Sequence, residues 1–321
     1  MLKKRIRHFN RYQDIIRAMI HHGFGSIAKE LGLSEMLPFK GQWTFESKEI
    51  KNQPAAERIR AILEELGPTF IKLGQMLSTR PDIIPPSVIV ELEKLQDHVP
   101  AFSPDEAKKI IEASLEASID ELFADFTEEP LAAASIGQVH KAILHTGERV
   151  AVKIQRPNIQ GNIETDLEIL HSIVRMAEKR FSWAKEYGIS DIVDEFSHSL
   201  HQELDYGIEG RNSEKIANQF IGNDKIKIPS IYWEYSTKRV LTMEYVEGIK
   251  INDIKTLDEL GFNRKLISER FTDAMMNQIL IEGMFHADPH PGNVLIQPGD
   301  RLIFIDLGNI GYLDKRIKYA F

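Results

Sequence analysis

The chain has 321 residues, no cysteine, and 40 Lys+Arg against 48 Asp+Glu for a net charge of −8. That length suffices for one large domain or two modest ones with proper cores. The missing thiols exclude disulfides, thiolate catalysis and Cys-based zinc sites and fit a reducing cytosol, while the acidic balance argues against general nucleic-acid binding.

The first 29 residues concentrate Lys3, Lys4, Arg5, Arg7, Arg11, Arg17 and Lys29 against one acid, Asp14. Ile6, Phe9, Ile16, Met19 and Ile20 recur among them near helical spacing. Such a helix either docks on its own domain with a solvated basic face, the commoner use, or lies on an anionic membrane surface. No uncharged run of 18 residues and no signal-peptide pattern occur, so neither a bilayer span nor secretion is expected. Internal repeats and low-complexity tracts are absent as well.

Next comes "NQPAAERIRAILEELGPTFIKLGQML", from Asn52, with Ile59, Ile62, Leu63 and Leu66 on one helical face. Gly67-Pro68 breaks that helix, and a second starts at Thr69 with Phe70, Leu73 and Leu77 as its stripe. "RPDIIPPS" is a Pro-rich connection, after which Ser87 is predicted to cap a helix running to about Gln96. In "SPDEAKKIIEASL", Ser103 is the expected N-cap, with Pro104 at the first helical position and Glu106 three residues on.

From about Phe123 the period changes. "AASIGQVHKAIL" and "RVAVKIQ" are β-rich runs joined by the turn "HTGE", which predicts two to three antiparallel strands. Residues 161–220 return to helix, and "IPSIYWEYSTKRVLTMEYVEG" predicts two further strands around a Ser-Thr-Lys-Arg turn. A long apolar helix from Leu266 to Gly283 leads into "GMFHADPHPGNVLI", and "NVLIQPGDRLIFIDLG" predicts a hairpin on its Pro-Gly-Asp turn. The fold class expected is α+β.

The chemistry-bearing residues sit in the second half. His286, Asp288 and Asn293 reproduce the His-x-Asp-x-x-x-x-Asn spacing of a kinase catalytic loop, in which the Asp is the base and the Asn holds a metal ion. Asp306-Leu307-Gly308 follows the hairpin where a kinase carries the Asp-Phe-Gly that chelates Mg²⁺. "VAVK" ends in Lys153, the residue type that pairs with α/β-phosphates. Ahead of it, "AAASIGQV" puts Ala132, Ala134, Gly137 and Val139 where glycines and a valine would stand, and a Cβ restricts such a loop. "LTMEYVEG" is similar to a kinase hinge, with Met243 as gatekeeper and the main chain of Glu244 and Val246 toward an adenine. Each piece alone is an ordinary strand end or turn. Five in kinase order on the expected elements point to one site. A rival reading makes His286, Asp288 and His290 a metal triad, although Pro289 and Pro291 flank His290.

Taken together, "KLGQMLSTRPDIIP", "AAASIGQVHKA", "VAVKIQRP", "QELDYGIEGRN", "FHADPHPGN" and "IDLG" resemble the signature set of the UbiB family of atypical kinases, the AarF-domain or ABC1-type kinases. The resemblance runs from about Asn52 to Tyr312. It implies a bilobal kinase-like fold with a small antiparallel N-lobe sheet, a helical N-terminal extension over the active site and a truncated C-lobe. It further implies ATP and Mg²⁺ as cofactors and a role in ubiquinone or related isoprenoid-lipid metabolism at membranes. The implied organisation is a basic helical region at 1–50, a Lys-x-Gly-Gln extension at 51–122, an N-lobe at 123–248 and a partial C-lobe at 249–321.

On the same resemblance, Lys72 and Gln75 belong to the occluding extension, and Glu203 and Asp205 form the Glu-x-Asp motif that seats it. Leu131, Ala132, Ala133, Ala134, Ser135, Ile136, Gly137, Gln138 and Val139 form the loop replacing the Gly-rich one. Glu209 is the implied carboxylate partner of Lys153. Spacing alone does not choose it, because Glu164, Glu168 and Glu178 intervene. Asp205 and Glu209, four apart, are expected to share a helix face with Glu203 pointing away.

The reading that follows is an ATP-binding atypical kinase or ATPase: Lys153 on phosphate, Asn293 and Asp306 on Mg²⁺, Asp288 as base. The alternative is a regulatory pseudokinase scaffolding a lipid-biosynthesis complex. The expected partners are a small-molecule or lipid substrate, a membrane surface and quinone-biosynthesis proteins, with no nucleic acid. The expected location is the cytoplasmic face of a membrane. The chain stops 13 residues after Gly308, so a missing C-terminal segment that anchors the full protein is expected too.

Overall fold

The computed structural model describes residues 2–33, 53–95 and 100–313, with side chains from residue 6 onward. The side chains of Lys3, Lys4 and Arg5, and residues Asn52 and Gln96, lie outside the described residues. The chain forms two compact units. One comprises Met1–Ala101, Ala133–Gly137 and Arg156–Leu200; the other comprises Phe102–Ala132, Gln138–Gln155 and His201–Phe321.

The first unit is helical. Its N-terminal helix, Leu2–His21, docks on its own unit: Ile15, Ile16 and Ala18 are buried, and Ile16 packs with Ala28, Leu31 and Leu33 against Ile173 and Met176. Arg11 fixes the register of that docking. Its Nε and Nη2 bond the two carboxylate oxygens of Asp166 at 2.6 and 3.0 Å, from the Ile159–Arg180 helix, and the Asp166 side chain is only 3% exposed. Helices Ala55–Leu66 and Pro68–Ser78 follow the expected break at Gly67, whose φ of +85° only glycine adopts without strain. The next helix departs from expectation. It spans Pro86–Leu92 with Pro85 as N-cap, so Ser87 sits inside the first turn and caps nothing.

The second unit begins with helix Pro104–Leu115, where Ser103 Oγ accepts from the Glu106 N–H at 3.3 Å, the predicted cap. The strands in chain order are β1 (Phe123–Phe126), β2 (Ala132–Ala133), β3 (Gly137–Leu144), β4 (Arg149–Gln155), β5 (Ile226–Lys227), β6 (Val240–Glu244), β7 (Ile249–Lys250), β8 (Met284–His286), β9 (Val294–Gln297), β10 (Arg301–Phe304) and β11 (Ile310–Tyr312). One sheet runs β1-β3-β4-β6 and a second β5-β10-β9-β7, while β11 pairs with β8. In β4, Val150, Val152 and Ile154 alternate into a core shared with Ile110, Ile111 and Val240. Lys153 therefore leaves the opposite face. A second core gathers Ile216, Phe220, Leu257, Ile267, Leu302, Phe304 and Leu307.

Two elements of the second unit also differ from the sequence expectation. "IPSIYWEY" forms no strand: Ile231 makes one bridge to Met243, and Trp233–Tyr235 is a 3₁₀ turn closed by Tyr235 N–H to Tyr232 O at 3.0 Å. The apolar helix near residue 266 is α-helical over Arg264–Met276, then turns π-helical over Asn277–Glu282. The π turn carries Gln278 inward, where its Oε1 accepts the His286 N–H at 2.8 Å. No helix of the described residues is long and apolar enough to cross a membrane.

Candidate functional site

Lys153 is the centre of the arrangement. Its ammonium lies 2.8 and 2.9 Å from the two oxygens of Glu209 and 3.4 Å from Oδ2 of Asp306. Glu209 comes from helix Tyr206–Gln219, started by Asp205, whose Oδ1 accepts the Gly207 N–H at 2.9 Å. Asp205 is thus a cap rather than a face-sharing helical residue, and Glu203 ends the preceding helix, Ile189–Glu203. Tyr206 closes the socket: Lys153 Nζ stands 5.1 Å from its ring centroid, and the ring is fully buried.

Burial and charge oppose each other here. Burial works to discharge Lys153, yet the carboxylates of Asp306 and Glu209 hold its pKa well above the ordinary lysine range. Burial pushes the Glu209 carboxyl up to about 7, against the pull of Lys153 and with the added push of Asp306. Glu209 is 7% exposed at its side chain and Asp306 44%, so one carboxylate is structural to the socket and the other opens to solvent.

The loop from β8 to β9 and the turn after β10 meet through main-chain bonds. Ile305 N–H donates to Asn293 O at 3.0 Å and Ala287 N–H to Asn309 O at 3.0 Å. Asn293 Nδ2 donates to Asp288 O at 3.2 Å, which pins the amide beside the exposed Asp288. Asp306 Oδ1 accepts the Gly308 N–H at 3.0 Å, and Leu307 between them is buried in the second core. Asn212 Nδ2 reaches Leu307 O at 3.4 Å. Lys153, Glu209 and Asp306 are thus brought together within the second unit, and Asn293 is tied by its main chain to Ile305, the neighbour of Asp306.

The histidine triad is not. Burial lowers the His286 pKa, and its ring packs edge-on against Phe304. His290 Nδ1 accepts the Gly292 N–H at 3.0 Å, a turn-capping role. Among the described residues, His286, Asp288 and His290 do not gather as a ligand group.

The Ala-rich loop is closed by Leu131 N–H to Val139 O at 2.7 Å and by Ala134 N–H to Gly137 O at 2.8 Å. No residue from Leu131 to Val139 has a positive φ, so the alanines meet no backbone penalty in this conformation. Ser135 and Ile136 are buried, and Arg156 donates through Nε to Ala134 O at 3.0 Å. Gln138 Oε1 accepts the Phe102 N–H at 3.0 Å. In the segment expected to act as a hinge, Glu244 ends β6, donates its N–H to Ser230 O at 2.8 Å and pairs its carboxylate with Lys227. Met243 stands opposite Ala151, and Val246 lies partly exposed just past the strand. Lys72 and Gln75 lie on helix Pro68–Ser78 of the first unit, where Gln75 Nε2 donates to Leu95 O at 3.3 Å.

Three residues of this scaffold escaped the sequence reading as site members. Tyr206 and Asn212 both lie inside the quoted "QELDYGIEGRN", a signal present but unassigned. Gln278 had none, since only a π turn aims it inward.

The hard oxygen donors of Asp306 and Asn293, joined through the Ile305–Asn293 bond, fit a Mg²⁺ site. An ammonium beside them fits a phosphate.

The ABC1 atypical kinase-like domain matches residues 94–321. "Protein ACTIVITY OF BC1 COMPLEX KINASE 7, chloroplastic" of Arabidopsis thaliana is 44% identical over 276 residues, 85% of this chain and 39% of that protein. "Probable protein kinase UbiB" of Azotobacter vinelandii is 40% identical over 275 residues, 84% of this chain and 51% of that protein. The chain therefore spans about two fifths to half the length of these curated relatives. Among solved structures, the complex of Rv3197 with erythromycin from Mycobacterium tuberculosis superposes with a TM-score of 0.57 at 28% identity, covering 80% of this chain and 65% of that one. The kinase-like α+β fold expected from the sequence is the fold found.

Proposed function

The chain belongs to the ABC1 atypical kinase-like family, and on that premise we propose that it binds ATP and carries out phosphoryl transfer or ATP hydrolysis in support of isoprenoid-quinone biosynthesis. One observation supports this above the others: a single buried ammonium, Lys153, reaches both Glu209 and Asp306.

Lys153 holds the α/β-phosphate oxygens of the nucleotide, and Glu209 keeps the ammonium aimed at them. As the phosphates enter, Lys153 exchanges its 3.4 Å contact with Asp306 for phosphate oxygen. Asp306 and Asn293 Oδ1 are then the donors for Mg²⁺, which when bound offsets negative charge on the phosphates. Asp288, exposed at the loop, accepts the proton of the attacking hydroxyl, or of water in a hydrolytic cycle. Leu131, Ala132, Gln138 and Val139 of the Ala-rich loop and the main chain of Glu244 and Val246 bound the nucleotide, and the acceptor is a small or lipid molecule, or water. The proposed site of action is a membrane surface, as the family resemblance implies.

Single-turnover ATP hydrolysis by the chain, with vesicles carrying a quinone-precursor mimic, tests this reading. Phosphate release that falls by roughly 100- to 10,000-fold in Asp288→Asn is the expected result. Nucleotide binding with no release in either protein would overturn the enzyme and leave a nucleotide-binding scaffold.

A further inference from the structure

Two imidazoles and a carboxylate converge in the first unit where two helices end. The N-terminal helix stops at His21, and Gly23 takes a φ of +81° to close it. The Phe24 N–H returns to Met19 O at 2.7 Å and the Gly23 N–H to Ile20 O at 3.0 Å, the paired bonds that lock a helix C-terminus. That lock fixes the backbone that carries His21 and His22. Arg58 fastens the turn to helix Ala55–Leu66 by donating Nη1 to His22 O at 3.0 Å and laying its guanidinium 4.7 Å from the Phe24 ring centroid.

From that second helix, one residue before its last, Glu65 presents Oε2. The oxygen lies 3.3 Å from His21 Nδ1 and 2.8 Å from His22 Nε2. The three donor atoms fall within 4.8 Å of one another, and no other group of three His, Asp or Glu ligand atoms does so among the described residues. Both rings are drawn to the same oxygen, so three side chains that can each ligate a metal share one small space.

The surroundings favour a cation too. Both helices turn their C-terminal ends, which carry partial negative charge, toward the cluster. Arg58, the cation close by, has its charge committed to the His22 carbonyl and the Phe24 ring. Two imidazole nitrogens with one carboxylate oxygen and no sulfur is a borderline-soft donor set that suits Zn²⁺, as in the His₂Glu type of site, and does not suit Mg²⁺ or Ca²⁺. Closure to bonds of about 2.0–2.2 Å needs a small inward swing of His21, whose side chain is 64% exposed and has the room.

We propose that His21, His22 and Glu65 form a binding site for a divalent transition-metal ion of the zinc type, with water as the fourth ligand, that clamps the N-terminal helix to helix Ala55–Leu66. The site is independent of the Lys153 site and of any nucleotide.

The test is equilibrium dialysis of the chelator-stripped chain against Zn²⁺ alone, with the thermal midpoint recorded on the same samples. One Zn²⁺ per chain and a raised midpoint are expected. His22→Gln and Glu65→Gln, each retaining a polar side chain of similar size, should weaken Zn²⁺ binding by roughly tenfold or more. They should also abolish the rise in midpoint, whereas Glu57→Gln on the same helix should change neither. All three positions lie outside the buried core, so circular dichroism should show a native fold throughout. Absence of bound Zn²⁺, or Zn²⁺ bound equally by wild type, His22→Gln and Glu65→Gln, overturns the site.

Discussion

Replacing Lys153 by methionine is expected to lower ATP turnover by roughly 100- to 1,000-fold, the loss seen when one preorganised donor to transition-state charge is removed. Methionine keeps the length and the apolar stem while deleting the ammonium that touches both Glu209 and Asp306. The thermal midpoint measured alongside separates lost chemistry from lost fold. Glu209 supplies the companion result. Burial sets its carboxyl at about 7, above the free value, so in the folded chain it ionises only as pH rises through neutrality. Two consequences then run in opposite directions. A carboxyl whose folded pKa is raised contributes stability that is full below its unfolded value and is lost as pH climbs through about 7. The ionised form, meanwhile, is the one that aims Lys153. ATP affinity should therefore improve from about pH 6 to about pH 8 in wild type. In Glu209→Gln only the titration of ATP itself should remain, and an identical profile in both proteins would remove Glu209 from its role.

The largest effect on stability is expected at Arg11. Arg11→Met leaves the Asp166 carboxylate, 3% exposed, without its two guanidinium bonds. An uncompensated buried charge costs about 3–5 kcal/mol, which a shift of the urea midpoint at unchanged slope would report. Removing both charges in Arg11→Met/Asp166→Leu should recover most of that loss, because apolar replacement of a whole buried pair is often neutral. A single variant as stable as wild type would mean that Asp166 reaches solvent.

How far the sequence alone reached can be judged from individual residues. Ser103-Pro104-x-Glu106 announced its helix because cap chemistry is local, and the Gly67-Pro68 break was legible for the same reason. The hairpin at Pro298-Gly299-Asp300 was legible through its turn, with Gly299 at φ +81° and Asp300 at φ +55°. "IPSIYWEY" misled because Ile, Tyr and Trp favour strands, while the Ser236 hydroxyl bonded to Tyr232 O at 2.8 Å holds a turn instead. Pro85 and Pro86 started a helix without any side-chain cap, which drew the boundary away from Ser87. The π turn at Asn277–Glu282 follows from a tertiary bond to His286, which no period in the sequence encodes. At the site, the order of motifs was visible, but the Lys153–Glu209 contact spans 56 residues and needed the fold or the family resemblance to select it. His21, His22 and Glu65 show the same limit, since their convergence depends on two helix ends meeting.

The most direct measurement is calorimetric titration of the chain with ATP, with and without Mg²⁺, in wild type and Asp306→Asn. Binding of one ATP that tightens with Mg²⁺ in wild type and loses that dependence in Asp306→Asn is the result predicted. Equal, Mg²⁺-indifferent titrations in the two proteins would contradict a nucleotide site built on Lys153, Asn293 and Asp306.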